Sequence, residues 1–139
     1  MDIVPQLVRI YLEEEKWHKN KLSEEEAKKY YKEIIKKKNL SCHTNKEGVV
    51  IGYIEWFAVS HEQFKRLVNN DSFHIGEEDI SNGPICWVND VWIKDSERFN
   101  GVYKKLRNSL FNATKHCEYY TGKEVKRNRR LRIFKQRSQ

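Results

Sequence analysis

Residues 85–93 read ICWVNDVWI, an apolar run broken only by Asn89 and Asp90. β-Branched and aromatic side chains on both faces are typical of a central strand that is covered on both sides. A short polar loop follows and ends at Gly101, and apolar residues then recur at helical spacing. We therefore predict a core strand, a glycine loop and a helix, whose buried stripe contains Val102, Leu106, Leu110, Ala113 and Cys117.

The junction of this strand, loop and helix predicts an anion site. The first N–H groups of a helix have no partner within the helix, and the helix dipole adds partial positive charge at the same end. Phosphate groups bind at such helix ends because backbone N–H groups point at them.

The loop also carries a family resemblance. The run Arg98-Phe99-Asn100-Gly101-Val102-Tyr103 resembles the Arg/Gln-x-x-Gly-x-Gly/Ala signature of the GNAT acyltransferase superfamily, with Tyr103 in place of the last small residue. In that family the loop holds the pyrophosphate of acetyl-CoA. The resemblance implies that acetyl-CoA or another acyl-CoA contacts Arg98, Asn100, Gly101, Val102 and Tyr103, and the backbone of Val91, Trp92 and Ile93.

The elements that precede the core strand follow the GNAT order. Apolar periodicity predicts a helix from about residue 3 to Lys19, with Asp2 as its N-cap, and a second helix opened by a capping box of Ser23 and Glu26. A hairpin then spans residues 40–59 around an Asn-Lys-Glu-Gly turn. A second capping box, Ser60 with Gln63, opens a short helix. Two helices and a hairpin look like the opening of a GNAT domain.

The end of the chain departs from that pattern. A short strand at 117–121 and a turn at Gly122–Lys123 leave no room for the usual fourth helix and closing hairpin. The predicted fold class is therefore α/β (α+β): a GNAT-like mixed, mostly antiparallel sheet flanked by helices, with a truncated or altered C-terminal end. Residues 1–122 form the GNAT-like domain, and 123–139 are a basic C-terminal strand or tail of the same domain.

Net charge is concentrated in that tail. Residues 1–122 carry 19 Lys/Arg and 19 Asp/Glu, whereas 123–139 carry 8 Lys/Arg and one Glu, so the whole net charge of +7 lies there. Basic clusters attract nucleic acid or acidic protein surfaces, and they also aid solubility without any partner. Both interpretations stay open for Lys126, Arg127, Arg129, Arg130 and Arg132.

Cysteine and histidine usage indicates no structural metal. Cys42, Cys86 and Cys117 are odd in number and lie in apolar patterns, which predicts buried free thiols. No His spacing fits a metal site. A signal peptide and an apolar run of about 20 residues are both lacking, so we expect no membrane span and a cytoplasmic protein.

Asp90 is the main catalytic candidate. Period-2 alternation predicts that it lies beside Val88 and Trp92 on one face of the core strand. A carboxylate there must be hydrogen-bonded, paired or raised in pKa, which suits a general base or a structural partner equally.

A narrower resemblance adds a second candidate. The core strand and the run 100–107 look like the RTX-toxin-activating lysine acyltransferases, a divergent GNAT branch that uses a histidine near its N-terminus with an aspartate on the core strand. The resemblance implies that His18, in the run Trp17-His18-Lys19-Asn20, works with Asp90.

Two functions therefore fit the sequence. The first is an acyl-CoA-dependent acyltransferase acting on an amine, such as a protein lysine, an N-terminus or a small amine. The second is a catalytically inactive GNAT-like binding or inhibitory module, a phage-type effector that contacts nucleic acid or an acidic protein through its basic C-terminus.

Overall fold

The computed structural model describes residues 2–14, 22–69, 78–124, 129–130 and 134–135. Four α-helices occur there: α1 (Val4–Glu13), α2 (Glu24–Lys36), α3 (His61–Val68) and α4 (Val102–Ala113). Six strands occur: β1 (Leu40–Thr44), β2 (Val50–Val59), β3 (Ile85–Ile93), β4 (Tyr119–Glu124), β5 (Arg129–Arg130) and β6 (Phe134–Lys135). A 3₁₀ turn, Asp95–Glu97, lies in the loop between β3 and α4.

The strands form one mixed sheet in the order β1-β2-β3-β4, with β5 and β6 both paired to β4. Every pair is antiparallel except β3 with β4, which run parallel because α4 crosses over between them. The predicted fold class, a mostly antiparallel mixed sheet flanked by helices, is confirmed.

Both predicted capping boxes are present. Ser23 Oγ accepts from Glu26 N at 3.1 Å while Glu26 Oε1 accepts from Ser23 N at 2.9 Å. Ser60 and Gln63 make the same reciprocal pair at the start of α3. Each cap satisfies two N–H groups that the helix itself leaves unpaired, which is why these short motifs fix a helix start locally. At α1 the N-cap residue is Ile3, and Asp2 instead accepts from Val4 N at 3.0 Å.

Two apolar layers cover the sheet. One face packs against α4, whose Val102, Leu106 and Leu110 are buried. The other face packs against α1, α2 and α3. Each large side chain buried in these layers contributes about 1.5–3 kcal/mol to folding. The helix ends at Ala113, which is exposed, so Ala113 does not belong to the buried stripe that its spacing predicts.

The predicted turn at Gly122–Lys123 is also wrong. Gly122 and Lys123 do not form a turn, because β4 continues through both of them to Glu124. The chain then returns antiparallel along β4: Lys123 pairs with Arg130 and Tyr120 pairs with Phe134. A closing strand pair therefore does form, and its backbone hydrogen bonds extend the sheet beyond β4.

The described residues add three facts about surfaces and thiols. Cys86 and Cys117 are buried and Cys42 is partly buried, all as free thiols. Within the described ranges, no group of three His, Cys, Asp or Glu residues is arranged to hold a metal ion. None of the described helices has both the length and the apolar character that a bilayer crossing requires.

Candidate active site

The candidate site lies where β3 and β4 separate. Their parallel pairing extends from Ile85 opposite Tyr119 to Val88 opposite Gly122 and then stops. In the described part of the chain, no strand pairs with 89–93 on that side of β3. Backbone N–H and C=O groups of 89–93 on this edge are therefore available to an extended ligand.

A β-bulge sets which side chains reach this opening. Glu55 pairs with Asp90 and Trp56 pairs with Val88, so Asn89 is an extra residue on β3. The extra residue reverses the alternation of faces. Val88 packs on the α4 face, whereas Asp90 bonds to Tyr53 on the opposite face. The prediction that Asp90 lies beside Val88 is therefore wrong, because period-2 alternation assumes an unbroken strand.

Asp90 is partly buried and hydrogen-bonded. The hydroxyl of Tyr53 donates to Asp90 Oδ2 at 2.6 Å. The Tyr53 ring in turn stacks on Trp92, with centroids 6.0 Å apart. The Tyr53 hydroxyl, on a ring that stacks against Trp92, thus helps to hold the carboxylate two residues beyond the end of β3–β4 pairing.

Glu55 is the functional candidate that sequence reasoning did not identify. Its side chain is only 1% exposed, although it is charged in water. Tyr30 on α2 donates its hydroxyl to Glu55 Oε1, and Asn89 Nδ2 donates to the same oxygen at 2.8 Å. Burial, and secondly the charge of Asp90, raise the pKa of Glu55 to about 7. One signal was available: Glu55 is the single charged residue in the fully buried strand Val50–Val59.

Thr121 supplies a second unexpected feature. It lies on β4 directly opposite Trp87 and is 3% exposed. Its hydroxyl oxygen is shielded from solvent and has no hydrogen-bond partner. A buried hydroxyl without a partner is unfavourable, so it is a candidate contact for a ligand that enters the opening.

The glycine loop has the geometry that the sequence predicts. Gly101 is the N-cap of α4 with a φ of 82°, and no side chain caps the helix. A Cβ atom at Gly101 would meet nothing within 4 Å, so the approach to the first-turn N–H groups is open. A glycine is favoured here because other residues rarely adopt a positive φ.

The polar side chains of the loop contact each other. Arg98 Nε lies 3.3 Å from Asp95 Oδ1, and both side chains are exposed. Asn100 Nδ2 donates to Glu97 Oε2 at 3.1 Å. Arg98 and Asn100 therefore stabilise the loop and remain at its surface, where they can rotate toward an anion.

The remaining predicted cofactor contacts divide into backbone and side-chain groups. The side chain of Val102 is buried in the core, so only its N–H can face a ligand. Val91 is 36% exposed on the open strand, and Trp92 and Ile93 are partly buried. Tyr103 is 49% exposed, with the guanidinium of Arg107 5.9 Å from its ring centre.

Some predicted residues cannot be placed at the site. His18 lies outside the described residues, as do Lys126, Arg127 and Arg132. The backbone of Arg129 and Arg130 forms β5, which pairs with the far end of β4.

Comparison with known proteins identifies the fold. No family model and no curated protein matches the sequence. The loading GNATL domain of CurA from Lyngbya majuscula matches with a TM-score of 0.54 at 14% identity, over 86% of this chain and 60% of that one. GphF, a GNAT-like decarboxylase in complex with isobutyryl-CoA, matches with a TM-score of 0.51 at 10% identity, over 73% and 51%.

A structure assigned as a phosphinothricin N-acetyltransferase gives 0.51 at 15% identity, over 86% and 65%. The chain thus spans between half and two thirds of the length of these structures. None of the three is an RTX-toxin-activating acyltransferase, and that narrower resemblance stays a prediction. At these identities the likeness concerns the fold, and it agrees with the split sheet and the glycine loop: this chain has the GNAT fold.

Proposed function

We propose that this protein is an acyl-CoA-dependent acyltransferase that modifies an amine. One observation carries the proposal: β3 and β4 stop pairing after Val88, and the carboxylate of Asp90 lies next to the point where they separate. The strand edge suits an extended thioester substrate, and the carboxylate suits removal of a proton from the acceptor. A protein lysine, an N-terminus and a small amine all have the required chemistry.

The acyl-CoA would lie along β3 and across the start of α4. Its pyrophosphate would accept from the N–H groups that follow Gly101, where the helix dipole favours negative charge. Arg98 and Asn100 are exposed at the edge of this loop and can add contacts. The amide groups of the pantetheine arm would pair with the open backbone of Val91, Trp92 and Ile93, as an added strand pairs with a sheet edge.

Asp90 would act as the general base. It lies two residues past the end of strand pairing, and the thioester would lie beside it. Its oxygen would take a proton from the acceptor ammonium, so that the neutral amine attacks the thioester carbonyl carbon. His18 would assist Asp90 if the narrower resemblance holds. Positioning both reactants in the cleft supplies the rest of the acceleration.

The comparisons support the class of donor. One structure with the same fold holds isobutyryl-CoA, and another is assigned as an N-acetyltransferase. The competing hypothesis, an inactive binding module, predicts the same fold without acyl-CoA binding or without transfer. Binding and turnover must therefore be measured separately.

Calorimetry of acetyl-CoA and CoA binding tests the donor site. We expect a micromolar dissociation constant, equivalent to about −8 kcal/mol. Gly101→Glu should abolish binding because its carboxylate would lie at the N–H groups that the pyrophosphate needs. Gly101→Ala is the matched control, since it imposes the same positive-φ strain without the charge and should still bind. No heat with acetyl-CoA, CoA or longer acyl-CoAs would rule out the acyltransferase.

A further inference from the structure

We infer that Glu55 and Asp90 act as one coupled acid–base pair, in which Glu55 sets the proton affinity of Asp90 and Asp90 exchanges the proton with the acceptor. The inference rests on the proposed function for its catalytic meaning. In the coupled pair, Glu55 is a positioning residue, because its buried side chain acts on the acceptor only through Asp90. The physical claim, that the two carboxylates titrate together, can be tested without any activity.

The register of the sheet brings the two carboxylates together. Glu55 on β2 and Asp90 on β3 are direct partners across the antiparallel pair, immediately next to the bulge at Asn89. Directly opposite residues have Cβ atoms about 4.5–5.5 Å apart and share one face of the sheet. The Glu55 side chain is fully buried, whereas Asp90 is only partly buried. Two ionised carboxylates at this separation repel each other strongly in a buried site.

The residues around Glu55 offer hydrogen bonds but little compensating charge. Toward Glu55, α2 presents Tyr30 and Tyr31 and β3 presents Asn89 and Asp90; Tyr53 on β2 donates to Asp90. Across the ranges that the structure describes, no Lys, Arg or His forms an ion pair with Glu55. Neutral donors stabilise one negative charge well and two poorly. The pair is therefore expected to keep a single proton up to about neutral pH, consistent with a pKa of about 7 for Glu55.

This coupling changes how strong a base Asp90 is. While Glu55 keeps its proton, Asp90 is an ordinary weak base. Once Glu55 ionises, the second charge raises the proton affinity of Asp90 toward that needed to deprotonate an ammonium. Asp90 then takes one proton from the acceptor, and the free amine forms the C–N bond. The C–S bond breaks, and the second amine proton neutralises the departing thiolate. The proton on Asp90 returns to solvent.

The pH dependence of acyl transfer tests the role of Glu55. In the unaltered protein, kcat/KM should rise as pH passes about 7. In Glu55→Gln, which keeps the shape and an acceptor for Tyr30, that rise should disappear and the plateau should fall about tenfold. A Glu55→Gln profile that still rises at the same pH overturns the proposal.

Tyr30→Phe provides an independent test, because it should change the pH at which kcat/KM rises. Its hydroxyl favours the ionised form of Glu55, so its removal should move the rise to higher pH by about half a unit or more. This variant also serves if Glu55→Gln does not fold. A shift to lower pH, or none, contradicts the proposal.

Urea unfolding provides the readout that does not need activity. The pKa of Glu55 in the folded protein lies above its ordinary value of 4.5, so the folded chain holds a proton that the unfolded chain releases. The stability that this proton contributes is present below pH 4.5 and is lost as pH rises to about 7. The urea midpoint of the unaltered protein should therefore fall relative to that of Glu55→Gln across this window.

Together, the acyl-transfer assay and the urea midpoints distinguish failure of the coupled pair from failure of the proposed acyltransferase function. Parallel urea midpoints across the window overturn the coupled pair, whatever the enzyme assay shows. A relative fall that becomes smaller when the comparison is repeated in an Asp90→Asn background supports the coupled pair, and a fall of equal size there overturns it. A relative fall without acyl transfer to any amine overturns the proposed function.

Discussion

The two halves of β3 differ in almost every respect. Residues 85–88 pair with β2 on one side and β4 on the other, and Ile85, Cys86 and Trp87 are buried. Among the described strands, residues 90–93 pair with β2 alone, Asn89 is the bulge residue, and all five are partly or well exposed. The first half is part of the core, and the second half presents Asn89, Asp90 and an open backbone edge.

The difference shows how one strand can serve stability and chemistry together. Pairing on both sides fixes 85–88, so that the bulge and the carboxylate just beyond them have a rigid base. The two polar residues of ICWVNDVWI come immediately after the last residue of β3 that pairs with β4. Rigid elements hold a site more precisely than loops do.

The largest expected effect concerns the open half. Asp90→Asn keeps the shape of the side chain and an acceptor for Tyr53, but it removes the basicity. We expect kcat/KM for acyl transfer to fall by about 10²–10⁴ while the melting temperature changes little. Steady-state kinetics with thermal unfolding of the same samples measures both quantities.

Tyr53→Phe is the matched control for Asp90→Asn. It removes the hydroxyl that holds Asp90 but leaves the carboxylate, so the loss of activity should be below about tenfold. If Asp90→Asn instead lowers the melting temperature strongly and leaves the activity per folded molecule unchanged, Asp90 is a structural partner and the two halves of β3 serve the same purpose.

The second prediction compares two glycines: Gly83, just before the closed half of β3, and Gly101, at the start of α4 beyond the open half. Gly83 precedes the closed half, and a Cβ atom there would lie 2.1 Å from the backbone carbon of Val59. Because backbone cannot rotate away, Gly83→Ala should cost about 3 kcal/mol of stability or more. At Gly101 a Cβ atom meets nothing, and only the positive φ opposes it, so Gly101→Ala should cost about 1 kcal/mol. Urea unfolding of both variants makes the comparison, and equal losses would contradict it.

Local patterns predicted the fold well. The capping boxes at Ser23 and Ser60, the long strands and the glycine before α4 all depend on residues close together in sequence, and the structure agrees with each. The site was only partly predictable. Asp90 is a candidate from the sequence because an acid is unusual in an apolar strand, and its catalytic role stays a prediction.

The missed features depend on contacts between distant residues. The bulge at Asn89 is defined by the register against β2, and that register is what makes Glu55 the neighbour of Asp90. Period-2 alternation within 85–93 contains no information on either fact. The return of the chain along β4 was missed for a related reason, because Gly122 and Lys123 are typical of a turn although pairing to both neighbours holds them in a strand.

The smallest expected effect concerns two buried threonines, Thr121 on β4 and Thr114 at the end of α4. The hydroxyl of Thr121 has no partner, whereas that of Thr114 donates to the Leu110 carbonyl at 2.7 Å and lies 2.7 Å from the Tyr120 hydroxyl. Thr→Val keeps the volume and removes the hydroxyl. Thr121→Val should therefore stabilise the protein by about 1 kcal/mol, and Thr114→Val should destabilise it by about 1 kcal/mol.

Thr121→Val also tests whether the Thr121 hydroxyl contacts a ligand. If the Thr121 hydroxyl contacts a ligand at the opening, Thr121→Val should raise the KM for the acyl donor or the acceptor several-fold, because a hydrogen bond made only in the complex is lost. Thr114→Val should leave both KM values unchanged, since Thr114 belongs to the core. A stabilised Thr121→Val with unaltered KM values would place the hydroxyl outside the ligand site.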